Sequence, residues 1–291
     1  MGAVSTAVIL AGGLGTRMLP ASKAVPKELL PLADRPIVQY TVEEAAASGV
    51  DHVVLVISPA KDAIREHFTE PSTTTQALEE QGRSEMAARS AAPARLATFD
   101  FAYQDKAEGI AHALKQARQF VRGDAFAVCY PDDVIFGDPP VLAQLIDAYQ
   151  RRRGTVLAVQ EVPEAEVSSY GIIEPAGDGD PIPVRSVVEK PAPEDAPSRL
   201  GIVGRLILPA SIFGHIDRLE RGTGGEFQLT DAIAKQLANG ETVSAVRFTG
   251  DRFDTGRPPG YVAANVAAAL RRDDLRKPTA NAIYRVMEQL S

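Results

Sequence analysis

An α/β fold on a mostly parallel sheet is what the 291-residue sequence predicts, and three observations predict it. Ala7–Ala11, Val53–Ile57 and Ala125–Tyr130 are continuous apolar runs, not alternating ones. Such runs mark strands covered on both faces, as in a parallel sheet. Helical spacing over Val38–Ala47, Lys61–Phe68 and Gly109–Val121 separates them. A glycine-rich turn follows the first run directly. Strand–helix–strand repetition of this kind winds with right-handed crossovers.

The remaining elements follow in order. Residues 71–96 are polar and Ala-rich with no strand signal, so a surface excursion is expected, part helix and part mobile loop. The stretch 175–196 is punctuated by Pro, Gly, Asp and Glu. After it, Gly201–Leu208 reads as a strand, Glu226–Ala238 as a helix and Thr242–Phe248 as a strand. Pro258–Arg272 and Ala280–Leu290 read as two helices with a break at Pro278. In the last, Ile283, Val286, Met287 and Leu290 fall at i, i+3, i+4 and i+7, which is one apolar stripe. No internal repeat or domain linker is visible.

Composition narrows the class. Apolar residues at 45% and charged residues at 24% are ordinary for a globular chain and exclude a wholly disordered one. No run of 18 apolar residues occurs, so no membrane-spanning helix is expected. The apolar N-terminal stretch has no basic residue before it, which argues against a secretory signal. The single Cys129 makes no intrachain disulfide and fits a reducing cytoplasm. With 31 Lys+Arg against 38 Asp+Glu the net charge is −7, so nucleic acid is a poor partner.

The loop Ala11–Gly12–Gly13–Leu14–Gly15–Thr16 carries the first chemistry. Glycines after a first strand let backbone N–H groups approach phosphate closely. The dinucleotide pattern Gly-x-Gly-x-x-Gly fails because Met18 stands at its third glycine, and the P-loop pattern fails at Arg17 and Met18. Between Gly15 and Pro36 the cations Arg17, Lys23, Lys27 and Arg35 face only Glu28 and Asp34. A local basic excess in an acidic chain suits a triphosphate: Arg bridges two phosphates and Lys acts as a point charge. A tight turn followed by a solvated basic face would look the same in the first few residues.

The longer string Gly13–Pro31, with its phrases Met18–Lys23 and Val25–Pro31, is more specific. It resembles the N-terminal signature of the sugar-1-phosphate nucleotidyltransferases, and within them the bacterial UTP–glucose-1-phosphate uridylyltransferases. The resemblance continues through Asp34–Tyr40 and spans roughly residues 5–270. It implies a three-layer α/β sandwich with a Rossmann-like mixed, mostly parallel sheet, the nucleotide-diphospho-sugar transferase fold. One nucleotidyltransferase domain over 1–275 is then expected, with a nucleotide half over about 1–135 and a sugar half over about 136–275. A C-terminal helix over 276–291 would follow.

The resemblance also implies a site. Ala11, Gly12, Gly13, Gly15, Thr16 and Arg17 would bind the triphosphate, and Gln104 with Gly109 would read the base. An amide offers both a donor and an acceptor to a uracil-type edge. Ala111 and Glu108 depart from the uridylyl pattern, and Ala111 is closer to that of the thymidylyl enzymes, so the base stays open between uracil and thymine. Pro131–Asp132–Asp133 closes an apolar strand where open α/β sheets bind ligands. In isolation it reads better as a turn and helix-cap pair. The resemblance makes Asp132 a Mg²⁺ ligand, Asp254 of Phe253–Gly256 the second, and Asp133 a supporting residue. A lone Asp-Thr-Gly also occurs in aspartic proteases, but a second copy is missing. Gly171, Glu189, Lys190, Val203 and Gly204 are expected around the sugar, with Glu226 a further contributor.

Arg17, Lys27 and Lys190 would be the catalytic cations. The implied reaction joins UTP and glucose 1-phosphate into UDP-glucose and pyrophosphate. The same chemistry with dTTP, or a non-catalytic nucleotide-sugar-binding subunit, are the alternatives. A homodimer or homotetramer is expected. His52, His67 and His215 show no metal-ligand spacing.

Overall fold

A computed structural model describes residues 4–290, so the ends of the two expected segments, 1–3 and 291, lie outside the described residues. The chain opens with β1 (Thr6–Leu10). Three single-turn 3-10 helices carry the basic segment to a ribbon of β2 (Pro31–Leu32) and β3 (Arg35–Pro36). Then come α1 (Ile37–Ala47), β4 (His52–Ile57), α2 (Asp62–His67), α3 (Thr73–Glu80), α4 (Ser84–Ala91), β5 (Thr98–Tyr103), α5 (Ile110–Ala117) and β6 (Ala125–Cys129). The second half holds β7 (Asp133–Phe136), α6 (Val141–Arg151), β8 (Thr155–Glu161), β9 (Gly171–Pro175), β10 (Ile182–Glu189) and β11 (Leu200–Pro209). It ends with α7 (Ile212–Ile216), α8 (Leu229–Ala238), β12 (Val243–Arg247), β13 (Asp251–Asp254), α9 (Pro258–Leu270) and α10 (Asp273–Leu290).

Nine strands form one mixed sheet in the order β5-β4-β1-β6-β11-β8-β12-β10-β9. The first four are mutually parallel. β11 runs antiparallel to both β6 and β8, and β10 antiparallel to β12 and β9. Seven of the nine strands therefore run in one direction, with β10 and β11 reversed, so the mostly parallel mixed sheet expected from the sequence holds. A short connection such as β9 to β10 can join only antiparallel neighbours.

The continuous apolar runs have a simple cause. In β4, Val53, Leu55 and Ile57 enter the core beneath α1, α2 and α6, while Val54 and Val56 enter the core beneath α5, α7 and α8. β1 and β6 divide the same way, with Ile9 on one face and Val8 on the other. A period of two with both faces buried erases the alternation a half-exposed strand would show. Cys129 lies inside, and burial pushes its thiol up to about 12.

Three expectations change. The excursion over 71–96 is mostly two packed helices, α3 and α4. Ser72 caps α3 by accepting the Thr75 amide at 3.1 Å, and the buried Thr75 hydroxyl bonds Glu70 and Ser90. Polar anchors of this kind leave no apolar period to read. Second, the sequence reading did not single out β5, β7, β8 or α6. Third, α10 runs through Pro278 without the expected break. None of its described residues is buried, so water can take the carbonyl that the missing proline N–H leaves free.

A buried ion pair ties the helical layer to the sheet. Arg205 on β11 donates through Nε and Nη2 to Glu44 on α1, the closest contact being 2.7 Å. Arg205 also bonds the Tyr130 and Gly204 carbonyls, and Glu44 accepts the Leu142 amide. Glu44→Ala would strand a buried guanidinium. Chemical denaturation should show a loss of about 3–5 kcal/mol; a loss below about 1 kcal/mol would mean that Arg205 finds water instead.

Candidate active site

The glycine loop leaves β1 at the C-terminal edge of the sheet. Its anchor is Lys61, just before α2. The buried Lys61 Nζ donates to the carbonyls of Ala11 (2.8 Å) and Gly13 (2.5 Å) and to both Glu28 oxygens (2.9 and 2.7 Å). Burial pushes the Lys61 pKa down and that of Glu28 up, and each charge opposes the other's shift. A cation that takes up loop carbonyls leaves the loop's N–H groups as the donors available to an anion. Nothing in a lysine ahead of a helix announces this in the sequence.

Gly15 adopts φ 68°, the left-handed region. The Lys27 stem lies 3.3 Å from where a side chain on Gly15 would begin. From there Lys27 Nζ donates to Asp132 Oδ2 at 2.6 Å, and Arg17 Nη2 stands 3.8 Å from the same oxygen. Burial disfavours the charge on Lys27, but Asp132 outweighs it and its pKa is raised. Burial likewise opposes ionisation of Asp132, but Lys27 and Arg17 outweigh it and its carboxyl lies below the usual range. The carboxylate is therefore charged at neutral pH.

Asp254 reaches Asp132 through the β7–β13 ribbon, which pairs Asp254 with Asp133. Next to it, the Thr255 amide and hydroxyl both donate to the Asp132 carbonyl, at 2.8 and 2.9 Å. Gly256 is required at the junction. A side chain begun there would lie 2.8 Å from Arg17 Nη2 and 2.9 Å from both Asp132 Oδ2 and Asp254 Oδ1. The two carboxylates thus border one small gap.

Asp133 has a different task. It accepts Arg252 Nε and Nη2 at 2.7 and 2.6 Å on one oxygen and the Gly204 amide at 2.8 Å on the other. Arg252 also lies over the Tyr170 ring, 5.4 Å from its centroid. The sequence reading missed Arg252. A lone arginine in an exposed-looking strand carries no signal without its partner.

A cavity of about 620 Å³ opens in front of these groups. Arg17, Asp132 and Asp254 line one side, and Gly171, Glu189 and Lys190 another. Glu189 Oε2 accepts the Thr230 hydroxyl at 2.9 Å, and Lys190 Nζ lies 3.2 Å from Oε1. Val203 does not face the cavity. Its side chain is in the core, while its neighbours Ile202 and Gly204 line the opening, as strand alternation requires. Gln104 and Gly109 sit behind the glycine loop, with Gln104 buried against Gly12.

Among the described residues no group of three or more His, Cys, Asp or Glu could hold a metal ion. The pair Asp132 and Asp254 does fit Mg²⁺, which takes one or two carboxylates and completes its shell with phosphate oxygens and water.

Residues 6–270 match the nucleotidyl transferase family. The chain belongs to this family. It is 40% identical over 275 residues to UTP–glucose-1-phosphate uridylyltransferase 1 of Staphylococcus saprophyticus, covering 94% of this chain and 96% of that one. A UTP-bound UGPase from Acinetobacter baumannii superposes with TM-score 0.86 at 32% identity, covering 97% and 99% of the two chains. A UDP-glucose pyrophosphorylase complexed with UDP-glucose gives TM-score 0.81 at 33% identity, covering 92% and 100%.

The Lys61 anchor can be tested alone. Lys61→Met leaves Glu28 an uncompensated buried carboxylate, so denaturation should reveal a loss of about 3–5 kcal/mol. Lys61→Met combined with Glu28→Gln should recover part of it. No recovery would mean that the loop carbonyls, not Glu28, set the effect.

Proposed function

We propose that this chain is a UTP–glucose-1-phosphate uridylyltransferase that makes UDP-glucose and pyrophosphate from UTP and glucose 1-phosphate. The observation carrying the proposal is that Arg17, Lys27, Asp132 and Asp254 meet at one gap, facing Glu189 and Lys190 across one cavity. Cations that hold phosphates and a carboxylate that holds sugar hydroxyls are what the two substrates need.

A phosphate oxygen of the sugar phosphate attacks the α-phosphorus of the triphosphate in line. The new P–O bond forms as the bond to the β-phosphate oxygen breaks, and pyrophosphate leaves with that electron pair. No protein nucleophile takes part, so positioning and charge neutralisation carry the reaction. The backbone of Ala11–Thr16 cradles the triphosphate. Arg17 meets the charge growing on pyrophosphate, Lys27 that on the α-phosphate, and Lys190 steers the attacking phosphate. Glu189 accepts sugar hydroxyls, with Gly171 and Gly204 allowing the ring close approach. Mg²⁺ held by Asp132 and Asp254 would neutralise phosphate charge. A cytoplasmic setting suits both the substrates and the free Cys129 thiol; no helix among the described residues is long and apolar enough to cross a membrane.

Pyrophosphate release measured with UTP, dTTP, CTP and ATP tests this reading. UTP should give the highest kcat/KM, EDTA should abolish turnover, and Mg²⁺ should restore it. Asp132→Asn should lose most activity while the protein stays folded, as judged by its circular dichroism. Preference for dTTP would move the enzyme to the thymidylyl class, and a fully active Asp132→Asn would remove Asp132 as ligand.

Assembly into a homodimer or homotetramer belongs to the same reading. Val286, Met287 and Leu290 on α10 are 55%, 61% and 79% exposed, so the chain's own domain does not cover the stripe. A second copy would bury it without touching the cavity. Removing residues 276–291 should lower the mass seen by light scattering and keep nucleotide preference. A full-length monomer at micromolar concentration would rule this out.

A further inference from the structure

Tyr130 stands directly before Pro131–Asp132–Asp133, and the reaction described above gives its side chain no task. Its backbone is held on several sides. The Tyr130 amide donates to the Gly204 carbonyl at 2.8 Å, and its carbonyl accepts the Asp133 amide at 3.2 Å and Arg205 Nη1 at 3.0 Å. Strand alternation sends Cys129 into the core beneath α1 and turns the Tyr130 ring to the other face, against the core beneath α5, α7 and α8. Gly204 abuts the root of the side chain: a Cβ added there would lie 2.7 Å from Tyr130 Cβ and 3.0 Å from Cγ. The ring therefore starts from a fixed base.

Its tip has no partner. Among the described residues Thr41 Oγ1 is the one buried side-chain oxygen or nitrogen without a hydrogen bond. The Tyr130 hydroxyl bonds no described residue either, so it is open to water in the cavity that Tyr130 lines. The surroundings place it on the sugar side. Gly204 and Ile202 share one face of β11 and line the same cavity. A Cβ added at Gly171 would lie 2.8 Å from Thr230 Cγ2, 3.3 Å from Glu189 Oε2 and 3.4 Å from Ile202 Cδ1, so these four residues stand together. We infer that the Tyr130 hydroxyl binds a hydroxyl of the sugar, donates its proton to that oxygen, and so helps to set which sugar phosphate the enzyme accepts. The inference rests on the proposal above, in which Gly171, Glu189 and Gly204 surround the sugar.

The chemistry is one of complementary roles. A sugar hydroxyl both donates and accepts, whereas a carboxylate only accepts. Glu189 can take a proton from the sugar but offers none to its lone pairs, and the Thr230 hydroxyl already donates to Glu189 at 2.9 Å. A phenol keeps its proton at neutral pH, since its ordinary pKa is about 10. Tyr130 thus supplies a donor without adding charge. The sugar oxygen takes the place of cavity water at the phenol. A ring already fixed at its root loses little freedom when it binds. A sugar without that hydroxyl leaves the phenol unpaired once the cavity is filled, and binds less well.

The test uses Tyr130→Phe, which keeps the ring and removes only the hydroxyl, with folding checked by circular dichroism. Turnover of UTP and glucose 1-phosphate by the parent is the control; its absence would overturn the proposed function, and this inference with it. Tyr130→Phe should raise KM for glucose 1-phosphate about three- to tenfold and leave KM for UTP within about twofold. Glucose 1-phosphates deoxygenated at C2, C3, C4 and C6 then locate the partner. At one position the penalty in kcat/KM for the missing oxygen should be about three- to tenfold smaller in Tyr130→Phe than in the parent, because the variant has already lost that bond. Equal penalties in parent and variant at all four positions would overturn the inference while leaving the proposed function intact. So would an unchanged KM for glucose 1-phosphate. A variant that instead loses its discrimination between UTP and 2′-deoxy-UTP would put the hydroxyl on the ribose and overturn the sugar contact.

Discussion

The hydrogen bond between Lys27 and Asp132, 2.6 Å long, is the interaction on which the site depends. It fastens the basic segment that follows β1 to the end of β6, the strand that lies beside β1 in the sheet. It also settles ionisation: Asp132 stays a carboxylate because a cation is in contact with it. A carboxylate held this way can exchange a protein cation for a metal cation without changing its own protonation state. The Lys27 stem against Gly15 makes the same contact depend on the shape of the glycine loop.

Three further ion pairs hold the surroundings in place. Lys61 and Glu28 brace the loop, Arg205 and Glu44 brace the strand that carries Gly204, and Arg252 and Asp133 brace the wall that carries Tyr170. Each charge is satisfied by additional hydrogen bonds, which is the condition under which buried ions are tolerated. The arrangement keeps the mobile-looking parts, loops and strand ends, registered to the sheet within the distance that phosphate chemistry demands. It also explains the company of Asp132 and Asp133: adjacent in sequence and pointing to opposite duties, one into the cavity and one into the wall.

The sequence by itself determined the layered α/β plan, because strands buried on both faces and helices between them leave a periodicity that any reader can find. It also named Arg17, Lys27, Asp132, Glu189 and Lys190, since a long specific string and strand-end carboxylates survive in one dimension. Tertiary structure alone decided the rest. Lys61, Arg205 and Arg252 act through partners tens to hundreds of positions away, and a single charged residue gives no sign of which opposite charge it will meet. Val203 and Gly204 look equivalent on paper, yet pleating sends one side chain to the core and leaves the other position at the cavity. Asp132 and Asp254 become neighbours only because a two-stranded ribbon folds the second carboxylate back onto the first. Long-range proximity of that kind is a property of the packed chain, and local sequence carries no term for it.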